Sequence, residues 1–429
     1  MGIGSASPAL YGRAPLYAGR VRRLPVLVAV LAVLAVPPAR AGEGPAERIQ
    51  GLLDRRAEAL LAGDRAGFLA VLDAGAAPAF VQRQRRLFDG FRALGLASYE
   101  TRAAEKIAPP GLATDRERDR YGAPVAILPV SERHALDDWD AEPALEELVL
   151  TFVRRPEGWR LVSDSDLDDV TLWSARKLWE LGPIVTRESE HFLYVSHPDL
   201  AGAAEPVLDA AEAGLEVVRD RWPLGWRPRV VILAPSSQAE LGRLLQATFD
   251  LDAFVAFAAS GVDREDDWDL NGHRVYLNWP NFSRYPQVSR EAILAHELLH
   301  IATRELAGPF TTTFVEEGVA EWVAGGSTSI LDARVAEGSF DRSLPHDVEF
   351  QSGTDEEIGL AYQESFSAFR FAAQEYGEAA VARFYRALGR VRLAPGTWRY
   401  HVGRAMRSAF GVGYGPFQHA WADHIEETR

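Results

Sequence analysis

The stretch AHELLH, residues 295–300, sets two histidines four positions apart with a glutamate directly after the first. On an α-helix such positions lie one turn apart on one face, about 6 Å along the axis, so His296 and His300 can turn both imidazoles to one ion. Glu297, beside the first of them, can then sit over a water on the metal. A zinc ion held this way lowers the pKa of that water, and the carboxylate takes its proton during attack. The surrounding run SREAILAHELLHIATREL, residues 289–306, has no Pro or Gly and begins with serine. Ile293, Leu294, Leu298 and Ile301 fall on one apolar stripe, so the sequence predicts a helix with a buried side.

Zinc with two histidine ligands takes a third protein ligand and, in a catalytic site, keeps one position open for water. The chain has no cysteine, which excludes thiolate ligands and disulfides. A metzincin pattern would need Gly at 303 and His at 306, where Thr303 and Leu306 stand. A glutamate on a second helix is the remaining common solution. FVEEGVAEWV, residues 314–323, offers Glu316, Glu317 and Glu321.

HELLH followed by FVEEGVAEWV resembles the gluzincin metallopeptidases, closest in spacing to the peptidase MA-like families. The likeness extends over roughly residues 190–425. It implies Glu317, 17 residues beyond His300, as the third ligand. Glu321, one turn further, then matches an acid that hydrogen-bonds the first histidine and fixes its tautomer. Glu316 is left to solvate the helix face. AYQESFSAFRFAAQEYG, residues 361–377, carries an amphipathic stripe of Tyr362, Phe366, Phe369, Ala373 and Tyr376, with Gly377 as C-cap. The resemblance places at Tyr362 a tyrosine that donates to the oxyanion of the tetrahedral intermediate. A core aromatic is the alternative there, and His346 is a less favoured substitute donor. The amine-holding GxMEN segment of aminopeptidase gluzincins is absent, since the two methionines are Met1 and Met406. The strand in its place is read as HRVYLNW, residues 273–279. A strand that pairs with an extended peptide backbone favours endopeptidase action.

The elements that must position these residues fall into two parts. Four arginines, Arg13 to Arg23, precede the apolar run 24–36 and the small-x-small Ala39-Arg40-Ala41, the layout of a signal peptide cut before Gly42. The 13-residue run is short of the ~20 a span needs, so no stable membrane span is expected after cleavage. Loss of residues 1–41 removes five arginines and no acids, taking the formal charge from −15 to about −20. A surface that acidic repels phosphate backbones, which excludes nucleic acid as a partner and suits a secreted protein.

Residues 45–175 begin with helical patterns (AERIQGLLDRRAEALLAG, RAGFLAVLD, PAFVQRQRRLFDGFRALG). They end with EELVLTFVRR and GWRLVSDSD, joined through Pro156-Glu157-Gly158 as strand–turn–strand. ALLAGDRAGFLAVLD and GWRLVSDSD resemble the nuclear transport factor 2-like (SnoaL-like) cone fold, which names no activity. His134 is read as solvent-facing in a polar loop. TLWSARKLWELGP is a connector, and residues 185–429 form the second domain, starting with strand and helix patterns and mostly helical from Ser289. The expected fold class is α+β: a cone-like α+β domain, then a mainly helical zincin-type domain with a small sheet. The expected function is a secreted zinc metallopeptidase acting on a peptide or protein substrate. The alternatives are a non-catalytic binding or scaffolding protein with a retained zinc site, and a zinc hydrolase of a non-peptide amide or ester.

Overall fold

The computed structural model describes residues 44–222, 228–247, 251–252, 254–262, 270–350, 352–391 and 396–428. The signal peptide read at residues 1–41 lies outside them. Among the described residues no helix is long and apolar enough to cross a membrane.

The chain is α+β, as its patterns predict. Helices Pro45–Leu61 and Pro78–Leu94 pack against an antiparallel sheet of β1 (Leu96–Ala103), β2 (Val125–Leu136), β3 (Ala144–Arg155) and β4 (Gly158–Ser163), in the order β1-β2-β3-β4. Their apolar stripes meet the alternating residues of the sheet: Ile49, Leu52 and Leu53 share one cluster with Ala126, Leu128, Phe152 and Leu161. His134 overturns the expectation of a solvated loop. It stands on β2, 1% exposed, edge-on to Phe91 and Trp179, with Nδ1 3.3 Å from Glu132. Its polar neighbourhood in sequence is a buried charge cluster in space. Lys177 Nζ lies 2.6 Å from both Glu132 and Glu146, and Tyr99 donates to Glu132 at 2.7 Å. Polar residues can line a strand interior where each charge finds a partner.

The second sheet has the order β5-β6-β7-β9-β8: β5 (Val185–Glu188), β6 (Phe192–Ser196), β7 (Val230–Ala234), β8 (Ala256–Val262) and β9 (Leu270–Leu277). Strands β6, β7 and β9 run parallel, with β5 and β8 antiparallel at the two edges. HRVYLNW, expected to be the strand open to substrate, lies within or beside β9, between β7 and β8. On that side the edge strand is β8. Its sequence AFAASGV is a run of small residues with little β-branching, and its strand character comes from pairing with β9 rather than from propensity.

Both faces of this sheet are buried. Phe192, Tyr194, Val230, Ile232, Val275 and Leu277 face the large helical core. Alternate residues Leu193, Val195, Val231 and Leu233 share a cluster with Phe88, Phe91, Leu94, Leu136 and Trp139 of the first part. Strand alternation puts the two sets on opposite faces. The core therefore crosses the connector between 175 and 185. Arg274 of β9 seals the junction, with two bonds of 2.6 and 2.7 Å to Asp140, whose side chain is buried.

Helix Ala204–Arg221 crosses helix Gln287–Thr303 closely enough that Gly214 faces backbone: a Cβ there would stand 2.9 Å from Ala295 N and Glu291 O. The remainder is helical, with Thr313–Ala324 against a 22-residue central helix, Asp355–Tyr376. Gly318 permits that contact, since a Cβ on it would meet the Phe369 ring at 2.6 Å.

Candidate metal centre

AHELLH stands in helix Gln287–Thr303, which begins two residues before the serine expected to open it, after Pro286. The stripe Ile293, Leu294, Leu298, Ile301 is buried as its spacing predicts. That burial fixes the helix's rotation, and His296 and His300, which share a face with Ile293 (three before His296, seven before His300), meet helix Thr313–Ala324 through Glu317. The two Nε2 atoms lie 3.0 Å apart. Glu317 Oε2 lies 3.2 Å from His296 Nε2 and 3.5 Å from His300 Nε2.

These three atoms form a compact donor triangle, and their residues are the one group of this kind among the described residues. Glu317 Oε2 is buried without a hydrogen-bond partner, an arrangement that costs free energy unless something positive occupies the space between. The three separations place a common point about 1.9 Å from every donor atom, close to the ~2.0–2.1 Å of zinc–nitrogen and zinc–carboxylate bonds. The residues therefore fit a divalent ion held by His296, His300 and Glu317. Of the three glutamates the sequence offered, Glu317 reaches both Nε2 atoms. Glu316 is half-buried beside them on the same helix.

Glu321 takes the other side of the His296 ring, with Oε1 3.1 Å from Nδ1. Glu317 and Glu321, four apart, thus bracket one imidazole and leave its Nε2 for the cluster. Burial disfavours the charged form of His296, yet the two carboxylates outweigh it and hold the imidazole well above its ordinary range. Glu317 is affected oppositely. Burial raises it, the two histidines lower it further, and it is left at about 2.

Glu297 is 6% exposed. Burial raises its carboxyl above the ordinary value, against the pull of His296 and His300 and of the facing Ala258 backbone. The edge strand β8 thus lies beside the carboxyl. Ala258 was not legible as a site residue, because nothing in AFAASGV marks it. Tyr362 is 2% exposed on the central helix, its ring 5.2 Å from Phe350 and edge-on to it. His346 is half-buried and accepts from Arg399 at 2.8 Å.

Fold and site together define an α+β protein with a buried two-histidine, one-glutamate centre suited to a divalent metal. No protein-family model matches the chain, and no curated protein matches it.

Proposed function

We propose that the protein is a zinc-dependent peptidase of gluzincin type, with His296, His300 and Glu317 as ligands and Glu297 as general base. The observation that carries this reading is the placement of Glu297. It adjoins a three-donor cluster and also faces the backbone of the edge strand β8. A zinc ion bound there supplies a Lewis acid for a carbonyl oxygen and a lowered pKa for water. The chain's own groups do the rest. Glu297, its carboxyl raised by burial, takes and returns the proton. Glu321 keeps the His296 proton on Nδ1, so that Nε2 faces the ligand position. The edge of β8 aligns an extended peptide beside Glu297.

The donor count supports catalysis over a structural role. A closed structural site takes four protein ligands, and three are grouped here among the described residues. Tyr362 as oxyanion donor belongs to the same proposal, although its burial equally suits packing. Tyr362→Phe separates the two: an oxyanion role predicts a loss of at least tenfold in kcat with an unchanged melting temperature.

The test is metal content together with cleavage. Wild type should bind one zinc per chain and cleave members of a random peptide library. Glu297→Gln should keep the zinc and lose at least a hundredfold in rate. Undiminished cleavage by Glu297→Gln, or a zinc-loaded wild type inert to the library, would overturn the reading.

A further inference from the structure

We infer that Arg304 binds a carboxylate of the substrate, so that the peptides accepted are those with a negative charge beside the cleaved bond. This rests on the peptidase reading for its setting, and its test is a binding preference that can fail or succeed apart from hydrolysis.

Arg304 stands four residues beyond His300, as His300 stands four beyond His296. The α-helix ends at Thr303 (φ −103°, ψ −5°), and Arg304 (φ −57°, ψ −47°) opens the short 3-10 turn Arg304–Leu306, its N–H bonding the Ile301 carbonyl. The arginine therefore stands immediately past the end of the helix that carries both histidines. Its Nη2 donates to the Ala258 carbonyl at 3.3 Å. Ala258 is the residue whose backbone faces Glu297. Glu297 and Arg304 therefore approach one residue of the edge strand β8.

Arg304 carries a full positive charge at neutral pH. No carboxylate lies within salt-bridge distance of it among the described residues, although many other arginines of the chain have one. Its Nε is buried without a hydrogen-bond partner, and the side chain as a whole is half-buried. A guanidinium with unused donors, partly removed from water and next to a peptide-binding edge, matches the planar fork that a carboxylate accepts. In a chain of net charge −15 such a cation is also a local exception to the repulsion an acidic ligand would meet. The carboxylate has two possible sources, the C-terminus of the peptide and an acidic side chain within it.

The experiment uses the full chain carrying Glu297→Gln, which does not cleave, with and without zinc. Fluorescein-labelled alanine hexapeptides are titrated by anisotropy in two matched pairs: free C-terminal acid against amide, and amide-capped peptides with one central Glu against Gln. At least one acidic peptide should bind about tenfold more tightly than its neutral twin. The gain falls in the first pair for C-terminal recognition and in the second for side-chain recognition. Adding Arg304→Gln should erase the gain while leaving the neutral peptides unaffected, and Arg304→Lys should keep part of it. If Arg304→Gln does not fold, by its melting curve, the lysine variant decides. Equal binding within both pairs, no binding of any peptide, or equal weakening of all four by Arg304→Gln would overturn the proposal. The last result would make Arg304 a clamp on β8. Absence of hydrolysis by the zinc-loaded wild type, with the acidic preference intact, would overturn the peptidase reading alone.

Discussion

Glu321 meets Nδ1 of His296 at 3.1 Å, on the side of the ring away from the donor cluster. A ring held this way presents one tautomer and one orientation to a metal. Glu321→Ala should therefore weaken zinc binding by about 10–100-fold without abolishing it. His296→Ala should abolish stoichiometric binding. Competition with a chromophoric chelator measures both, and an unchanged affinity in Glu321→Ala would remove its orienting role.

Metal binding should depend steeply on pH. In the metal-free protein the carboxylates of Glu317 and Glu321 outweigh burial and keep His296 protonated well above its ordinary range. An ion must displace that proton, so affinity rises with pH by up to about tenfold per unit until the imidazole titrates. Chelator competition from about pH 6 to about pH 9 should show this slope. A flat profile would mean that His296 is already neutral.

Glu180 makes a separate prediction about stability. Burial pushes its carboxyl from 4.5 up to about 7, more than Lys177 and Arg176 pull it down. A carboxyl raised on folding contributes stability below its unfolded value. That stability is lost as pH rises through the folded value. Stability should thus fall between about pH 4.5 and about pH 7 by at most about 3 kcal/mol. Glu180→Gln keeps an oxygen for the Lys177 N–H, which Glu180 accepts at 3.0 Å, and removes the titration. The variant should be more stable than wild type at pH 8, with a flatter pH profile of melting temperature.

The two parts of the chain should unfold together. Leu193, Val195, Val231 and Leu233 are covered by residues of the first part, and Asp140 is buried against Arg274. Arg274→Ala strands that carboxylate and should cost about 3–5 kcal/mol. A chain starting at residue 185 should be insoluble or fail to bind zinc, because one face of its sheet is bare. Calorimetry of the full chain should give one transition. Two well-separated transitions would show that the shared core contributes little.

How much of this was legible beforehand differs by residue. His296, Glu297 and His300 could be read directly, because helical period alone fixes which side chains share a face, and the apolar stripe 293/294/298/301 fixes which face is buried. The α+β class followed in the same way from a change of period along the chain. Glu317 needed a second helix to arrive from 17 residues away; spacing left three glutamates open, and packing through Gly318 and Phe369 brought Glu317 to both Nε2 atoms and Glu321 to Nδ1 of His296. His134 was misread because a buried charge cluster and a wet loop have the same composition. HRVYLNW was read as the strand that pairs with a peptide, but β9 is paired on both sides, by β7 and β8, since strand order is set by pairing between distant segments, not by the residues of either strand. The spacing that continues from His300 to Arg304 was present in the sequence throughout. That no carboxylate among the described residues pairs with it was not, for that depends on which carboxylates the fold brings near. Local periodicity determined the chemistry on offer, and long-range packing decided which groups meet.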